Sequence, residues 1–269
     1  QAEDGIRDRS PSRGLGDVYK RQVLGIGRGD SSLGYIGRKP APATQLAEYV
    51  EQVQTYLRGD AVDIDGYPSD IYWINENDQP KVPVEVASTG PRVIRLAAQH
   101  AERITFAMGA DAVRLKRGVK DAQIAAEEIG RDPKELSFGA YINIACDDNA
   151  KRGCDIVRGS VGTFAHFSGM SVAAHAGLQD APVFQHIGEN YDMANHASGK
   201  ASHMTSVPDE FVSRFAVVGN PSYCVDRLGE LRDQGLDRLV LLMGSRDSIE
   251  EDRTASVERI SDEVISQLR

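Results

Sequence analysis

From residue 23 onward, short apolar segments alternate with longer segments in which apolar residues recur at helical spacing. Short apolar runs rich in β-branched residues indicate buried strands, and the amphipathic segments indicate helices. The alternation predicts five strands, at residues 23–26, 81–88, 103–109, 135–148 and 236–244. A helix is predicted after each strand, at residues 42–58, 89–101, 111–128, 149–164 and 256–269, and one further helix at residues 221–235.

Several predicted helix ends carry residues that such ends favour. Gly59 and Gly130 follow two of the helices, where a left-handed glycine commonly ends a helix. Pro91 and Pro221 fall in first turns, which tolerate proline, and Asn220 is placed to cap the helix that follows it. These ends indicate which loops follow strands, and such loops carry the function of many α/β proteins.

Apolar strands separated by amphipathic helices predict an α/β fold with a parallel sheet covered on both faces. A doubly wound sheet and a (β/α)8 barrel both fit. Five strand–helix units are too few to close a barrel unless about three more precede them. Because residues 1–22, described next, indicate that coding sequence is missing upstream, we predict a partial TIM barrel, roughly its strands 4–8, with residues 167–208 inserted before the last strand. That region has weak periodicity and four of the six histidines, so we expect it to be functional or mobile.

The first 22 residues show no periodicity at all. Residues 17–22 are the in-frame translation of GAT GTG TAT AAG AGA CAG, the end of a transposon sequence used to prepare DNA libraries, and residues 1–8 translate an outer adapter. We expect residues 1–22 to be a disordered adapter artefact and residues 23–269 to be the C-terminal part of a barrel domain. A barrel opened in this way exposes strand edges, so we expect it neither to melt cooperatively nor to turn over substrate.

Composition narrows the class of partner. The net charge of −9 argues against nucleic acid, whose phosphates it would repel. Apolar runs are too short to span a membrane. Three widely spaced cysteines fit free thiols in the reducing cytoplasm better than a disulfide framework. We therefore expect a cytoplasmic protein that acts on a small molecule.

Two strand exits are candidates for ligand binding. The stretch "GIGRGD" after the first strand lacks the third glycine of a dinucleotide fingerprint, because Asp30 stands at that position, so we reject that interpretation. The stretch "STGPR" is a better anion site, since Thr89 or Gly90 would cap a helix whose first amides favour a phosphate, with Arg92 and Arg28 as charged contacts. A simple strand-to-helix turn explains the same residues equally well.

The histidines and cysteines show no catalytic spacing. The histidines form no pair of the H-E-x-x-H type, and no two cysteines stand in C-x-x-C, so we expect neither a metal site nor thiol redox chemistry. His166 lies near the end of a predicted helix and could line the mouth of a pocket.

Five segments in order carry a resemblance to a known family: "VLGIGRGDSSLGYIGRKPAP", "EYVEQVQTYLRGD", "VPVEVASTGPRVIRLAAQHAERI", "EEIGRDPKEL" and "VVGNPSYCVDRLGELRDQGLDRLVLL". They resemble the luciferase-like flavin-dependent oxidoreductases, and especially the branch of coenzyme F420-dependent methylenetetrahydromethanopterin reductase. The resemblance runs from Val23 to about residue 260 and is weakest over residues 167–208.

This resemblance implies a TIM barrel that is a homodimer when full length, with F420 or FMN across the carboxyl ends of its strands. The family's catalytic groups lie on early strands, so the catalytic residue stays unknown, with Asp30 and His166 as polar candidates at the mouth. The cofactor-binding residues that the resemblance implies are Gly27, Arg28, Gly29, Asp30, Ser31, Ser88, Thr89, Gly90, Arg92, Gly109 and Ala110.

The chemistry that the resemblance implies is hydride transfer between the cofactor ring and a small organic substrate. One alternative is an FMN- and oxygen-dependent monooxygenase of the same family. Another is a non-catalytic flavin-binding subunit, because fold does not fix function. A third is a doubly wound phosphate-binding domain complete from Val23.

Overall fold

A computed structural model describes residues 22–75, 80–175 and 177–268, so nearly all of the predicted 1–22 leader lies outside the described residues. The first three strands are β1 (Leu24–Ile26), β2 (Val62–Ile64) and β3 (Tyr67–Ser69). The remaining five are β4 (Val84–Ser88), β5 (Arg103–Phe106), β6 (Ser137–Cys146), β7 (Val217–Gly219) and β8 (Arg238–Leu242).

The helices follow the strands in the predicted alternation. The first six are α1 (Asp30–Gly34), α2 (Ala43–Leu57), α3 (Tyr72–Asn75), α4 (Pro91–His100), α5 (Ala112–Glu127) and α6 (Ala150–Gly169). The others are α7 (Val172–His175), α8 (Ala181–Asn190), α9 (Asp209–Phe215), α10 (Pro221–Arg232) and α11 (Glu250–Arg259). Within the described residues, no helix is both long enough and apolar enough to cross a membrane.

The main sheet is parallel throughout. Its order is β1–β4–β5–β6, after which β6 pairs with β8 along Gly139–Asn143 and with β7 along Ile144–Cys146. The five predicted strands are therefore neighbours in the order in which they occur along the chain. A barrel has this order, whereas a doubly wound sheet reverses it at a switch point. The prediction of a partial α/β barrel is confirmed, and among the described strands β1 and β8 remain unclosed edges.

Most predicted helix ends are confirmed. Gly59 and Gly130 both have positive φ, at 84° and 76°, as a glycine beyond a helix end should. Gly90 caps α4 and is followed by Pro91, while the side chain of Asn220 accepts a hydrogen bond from the backbone N–H of Tyr223. These ends form as predicted because each is a local interaction between residues close in sequence.

The structure adds three strands and five helices (α1, α3, α7, α8 and α9) to the predicted elements, and the bounds of two predicted helices differ most. The strands β2, β3 and β7 were not predicted, because three residues carry too little alternation to be read as a strand. The helix predicted to end at residue 164 continues to Gly169, because its last turn packs against α8. The closing helix begins at Glu250, six residues early, where acidic side chains suit its first turn.

Two apolar clusters hold the fold together. The first lies between the outer face of the sheet and the helices, with Ile104, Phe106 and Ile142 fully buried. The second joins α6, α8 and α9 and includes much of the region 167–208, with Ile187 and Phe211 at its centre. The region that we expected to be functional or mobile is therefore built of short helices with an apolar core.

The expected lack of cooperative melting stays a prediction. Half-exposed side chains on β1 and β8 favour it, because an open edge is poorly protected from water. The two buried clusters favour the opposite result, a cooperative transition. The thermal melting curve of the unsubstituted chain decides between them.

Candidate functional site

The predicted cofactor loops emerge side by side at the carboxyl edge of the sheet. Ile26 pairs with Val86 across β1 and β4, and Ser88 pairs with Phe106 across β4 and β5. The residues that follow these strands therefore leave the sheet at one edge, next to one another. The structure brings together the segments 27–31 and 88–92, as the resemblance implied.

The loop after β1 turns sharply into α1. Gly29 has a φ of 81°, which L-residues with side chains rarely adopt, and Asp30 is the first residue of the helix. The Nε of Arg28 donates to the carbonyl of Ala41 at 2.8 Å, which ties the loop to the start of α2. Burial raises the pKa of the Asp30 carboxyl, and nearby Arg28 opposes this rise. A proton on Asp30 is therefore held to higher pH than on an exposed aspartate.

The loop after β4 presents a helix N-terminus to the same edge. Ser88 is buried, and the hydroxyl of Thr89 donates to the carbonyl of Ala107 on the neighbouring strand exit at 3.3 Å. Gly90 is the N-cap of α4, and no side chain of the described residues caps that helix. Arg92 is exposed in its first turn. The first amides of α4 are therefore directed to the edge at which a phosphate would be favoured.

The third predicted segment is placed differently. Gly109 has a φ of 73°, and a Cβ there would stand 2.8 Å from the ring of Phe215 in α9. The amide of Ala110 donates to the carbonyl of Phe215 at 2.7 Å, and Ala110 is fully buried. These two residues pack against α9, and their role as a cofactor floor stays a prediction.

The inner face of the sheet carries polar side chains that sequence reasoning missed. The side chain of Arg238 lies across Gly139, because a Cβ on Gly139 would stand 3.0 Å from Cγ of Arg238. It forms an ion pair with Glu85 at 2.8 Å and donates to the hydroxyl of Thr105 at 3.2 Å. Farther along β6, Tyr141 faces the same side. Alternation within "SFGAYINIA" was the available signal, because apolar and polar or small residues alternate there.

A cluster of aromatic rings and imidazoles joins α6 to the region 167–208, which we call the cover, and contacts the segment after α1. The ring of His166 stacks on Tyr191 with centroids 3.9 Å apart and planes 15° apart, and the ring of His203 lies 4.3 Å from Tyr191. The hydroxyl of Tyr191 is 2.8 Å from Nδ1 of His196. Tyr35, just after α1, packs its ring 6.0 Å from His196, which connects the loop after β1 to the cover.

Burial sets the charge state of this cluster. Burial lowers the pKa of His166 to about 4, and the neighbouring His203 and His196 add to the effect. Burial also lowers the pKa of His196 and of His203. At neutral pH these imidazoles are uncharged. His166 can therefore donate or accept a hydrogen bond there, but it does not act as a cationic acid.

We predict that acid destabilises the protein from about pH 6.5 down to about pH 4. The unfolded chain binds protons on these histidines below about pH 6.5, whereas the native His166 stays neutral to about pH 4. The free energy of unfolding therefore falls with pH across that window. Urea unfolding between pH 7 and pH 4.5 measures it. His166→Phe keeps an aromatic stack without a titrating group, so its slope should be shallower, and an equal slope contradicts this account.

Four buried side-chain atoms lack hydrogen-bond partners in the described part of the chain. They are Nδ2 and Oδ1 of Asn143, Nδ1 of His166 and Nε2 of His203. Asn143 lies on β6, His166 lies near the end of α6, and His203 lies in the region 167–208. Unpaired buried polar atoms are rare and call for a physical explanation.

Metal and thiol chemistry have no evident support in the region described. No group of three or more His, Cys, Asp or Glu side chains there could hold a metal ion. The three cysteines are free and buried, and burial raises the pKa of Cys224 to about 12 and that of Cys154 to about 11. These two thiols stay protonated at neutral pH and are poor nucleophiles.

Comparison with known sequences identifies relatives of this chain. The sequence model of the luciferase-like monooxygenase family matches residues 20–238. A 5,10-methylenetetrahydromethanopterin reductase of Archaeoglobus fulgidus is 25% identical over 261 residues, covering 93% of this chain and 74% of the relative. An F420-dependent glucose-6-phosphate dehydrogenase of Mycobacterium leprae is 25% identical over 242 residues, covering 84% of this chain and 65% of the relative.

The fold has relatives among solved structures as well. The coenzyme F420-dependent tetrahydromethanopterin reductase of Methanopyrus kandleri superposes with a TM-score of 0.64 at 18% identity. The match covers 93% of this chain and 75% of that one. At this identity the likeness concerns the fold, and it agrees with the barrel order of the strands.

Proposed function

The chain belongs to the luciferase-like monooxygenase family, and from that premise we propose a function in hydride transfer between a flavin-type cofactor and a small organic substrate, with turnover by the opened barrel itself still not expected. The observation that carries this proposal is the meeting of two glycine-containing strand exits, residues 27–31 and 88–92, at the carboxyl edge of the sheet. Active sites of barrel enzymes lie at that edge.

The residues present fit a flat ring system with a phosphate-bearing tail. Within the described part of the chain, a Cβ on Gly25 or Gly27 would meet nothing within 4 Å, so a ring could approach the backbone of β1 closely. The N-terminus of α4, capped by Gly90, would hold a phosphate through its first amides, with Arg92 adding charge. When bound, the cofactor would supply the ring that accepts or gives the hydride.

We favour F420 as the cofactor and keep FMN as the alternative. The named relatives in sequence are a methylenetetrahydromethanopterin reductase and an F420-dependent dehydrogenase. The family also contains monooxygenases, as its name states, and a monooxygenase would use FMN with oxygen. The geometry of the strand exits suits both cofactors, since both carry a planar tricycle and a phosphate.

Two parts of the chain would serve the reaction directly. Asp30 opens α1 at the exit of β1, where burial raises the pKa of its carboxyl and Arg28 opposes the rise, and we assign it to proton transfer at the reacting atom. The cover would exclude water from the site, because it packs against the segment that follows β1. A Cβ on Gly34 would stand only 3.2 Å from Cε of Met193, and the ring of His196 packs against that of Tyr35. In this proposal residues 167–208 are the cover of the site.

The expected setting is a cytoplasmic homodimer of the full-length protein. The buried, unpaired thiols support a reducing compartment. Exposed aromatic side chains on the hairpin and α3, among them Tyr67, Tyr72 and Trp73, offer an apolar surface for a second copy. Sedimentation equilibrium of the full-length protein tests the dimer.

A cofactor titration tests the proposed function. F420 and FMN are both fluorescent, and we expect saturable quenching of at least one of them on adding the chain, with tighter binding of F420. Arg92→Glu should weaken binding, because a carboxylate would then oppose the cofactor phosphate. Lys116→Glu makes the same charge change in the middle of α5 and serves as the control. If the chain bound neither F420 nor FMN, the proposal would be refuted.

A further inference from the structure

The side chains of β6 point to two different faces of the sheet. Phe138, Ala140 and Ile142 belong to the apolar cluster beneath the helices. Alternate residues of a strand point to opposite sides, so Tyr141 and Asn143 share the inner face, on which Arg238 crosses the sheet. The inner face is the one that a barrel closes around.

Asn143 is the polar residue of this face nearest the carboxyl edge. Ser88 on β4 lies level with Ala140 through the pairings of β4, β5 and β6, and Asn143 stands three residues farther along β6. It pairs with Leu242, the last residue of β8. Asn143 therefore lies at the same edge as the glycine-containing loops.

The side chain of Asn143 is fully buried, and among the described residues neither its Nδ2 nor its Oδ1 has a hydrogen-bond partner. Such an amide destabilises the ligand-free protein, because both of its groups lose their hydrogen bonds to water on folding. An apolar residue of the same size would avoid that cost. Natural proteins keep locally unfavourable residues mainly where function requires them.

We propose that Asn143 binds the edge of the cofactor ring at which a carbonyl stands next to an N–H. A carboxamide places one acceptor and two donors side by side, so it can accept from the ring N–H and donate to the ring carbonyl at once. F420 and FMN both present such an edge on their pyrimidine ring. This inference rests on the proposed function, and it assigns a cofactor contact to a residue outside the glycine-containing loops.

The ring of Tyr141 bounds the same place on the other side. Its centroid lies 5.7 Å from that of Phe164, so α6 packs against the inner face beside Tyr141. Desolvation by burial is the main cause that raises the pKa of the Tyr141 phenol, which stays neutral. A neutral, partly apolar surrounding strengthens a hydrogen bond to an amide edge.

Substitution by leucine separates a ligand contact from a structural role. Asn143→Leu keeps the size of the side chain and removes both polar atoms. We expect the ligand-free variant to melt at the same temperature as the parent or higher. We expect its dissociation constant for oxidised F420, or for FMN if FMN binds more tightly, to rise about tenfold or more. Asn143→Ser provides the same comparison with a smaller side chain if the leucine variant does not fold.

Asn149→Ala is the matched control. The side chain of Asn149 accepts from the amide of Arg152 and caps α6, so its loss should lower the melting temperature without changing cofactor affinity. Unchanged affinity in both Asn143 variants would overturn the inference while leaving the proposed function intact. If the parent chain binds neither cofactor, the inference and the proposed function both fail.

Discussion

Arg238→Ala is expected to lower the free energy of unfolding by about 3 kcal/mol. The guanidinium of Arg238 contacts Glu85 at 2.8 Å and donates to Ser137 and Thr105 on the strands between them. The Glu85 side chain is only 15% exposed. Truncation therefore leaves a poorly hydrated carboxylate without its cation, on the face that holds β4, β5, β6 and β8 together. Urea unfolding followed by circular dichroism measures the loss.

Arg58→Ala provides the comparison for this effect. Arg58 and Asp60 form an ion pair at 3.5 Å with side chains 50% and 65% exposed. Exposed pairs contribute little, so its loss should cost less than about 1 kcal/mol. The double variant with Glu85→Ala should recover part of the loss in Arg238→Ala, because it removes the stranded charge. An Arg238→Ala loss no larger than that of Arg58→Ala would show that the pair does not stabilise the sheet.

Gly159→Ala is expected to destabilise the protein by about 2–3 kcal/mol and to weaken cofactor binding. A Cβ at Gly159 would collide with the carbonyl of Ala197 and stand 2.6 Å from the amide nitrogen of Gly199. Both contacts are with backbone, which cannot move aside as a flexible side chain can. The substitution therefore separates α6 from the cover of the site. Thermal melting and cofactor titration of the same variant measure the two effects.

Gly229→Ala should change stability in the opposite direction. Gly229 also lies within a helix, α10, but a Cβ there would meet none of the described residues within 4 Å. Alanine is favoured over glycine in a helix by about 0.5–1 kcal/mol, so this variant should be stabilised. If both glycine variants were stabilised, the close contact between α6 and residues 197–199 would not exist in solution.

The sequence predicted best where the determining contacts are local. The strands β4, β5 and β6 are rich in apolar residues, and the helix caps at Gly90 and Asn220 depend on adjacent residues. The hairpin of β2 and β3 also had a local signal, because Asp65–Gly66 is a typical two-residue turn and both residues have positive φ. It was missed because each strand is only three residues long.

The site depends on contacts between distant segments, which a single sequence does not reveal. The stacking of His166 on Tyr191 joins α6 to the region 167–208, and the pair of Arg238 and Glu85 spans 153 positions. Residues in loops after strands could be named from the alternation alone. Asn143 could not, because only the packed structure shows that its buried amide has no hydrogen-bond partner among the residues described.

The central claim is that the cofactor binds at the carboxyl edge of the sheet, under the cover. Hydrogen–deuterium exchange with and without saturating F420, or FMN if FMN binds more tightly, tests this claim most directly. We predict slower exchange at residues 27–37 and 88–92 and in the cover at residues 191–199, with no change at residues 129–137 on the opposite edge. Protection confined to residues 129–137, or no protection at saturation, would contradict the account.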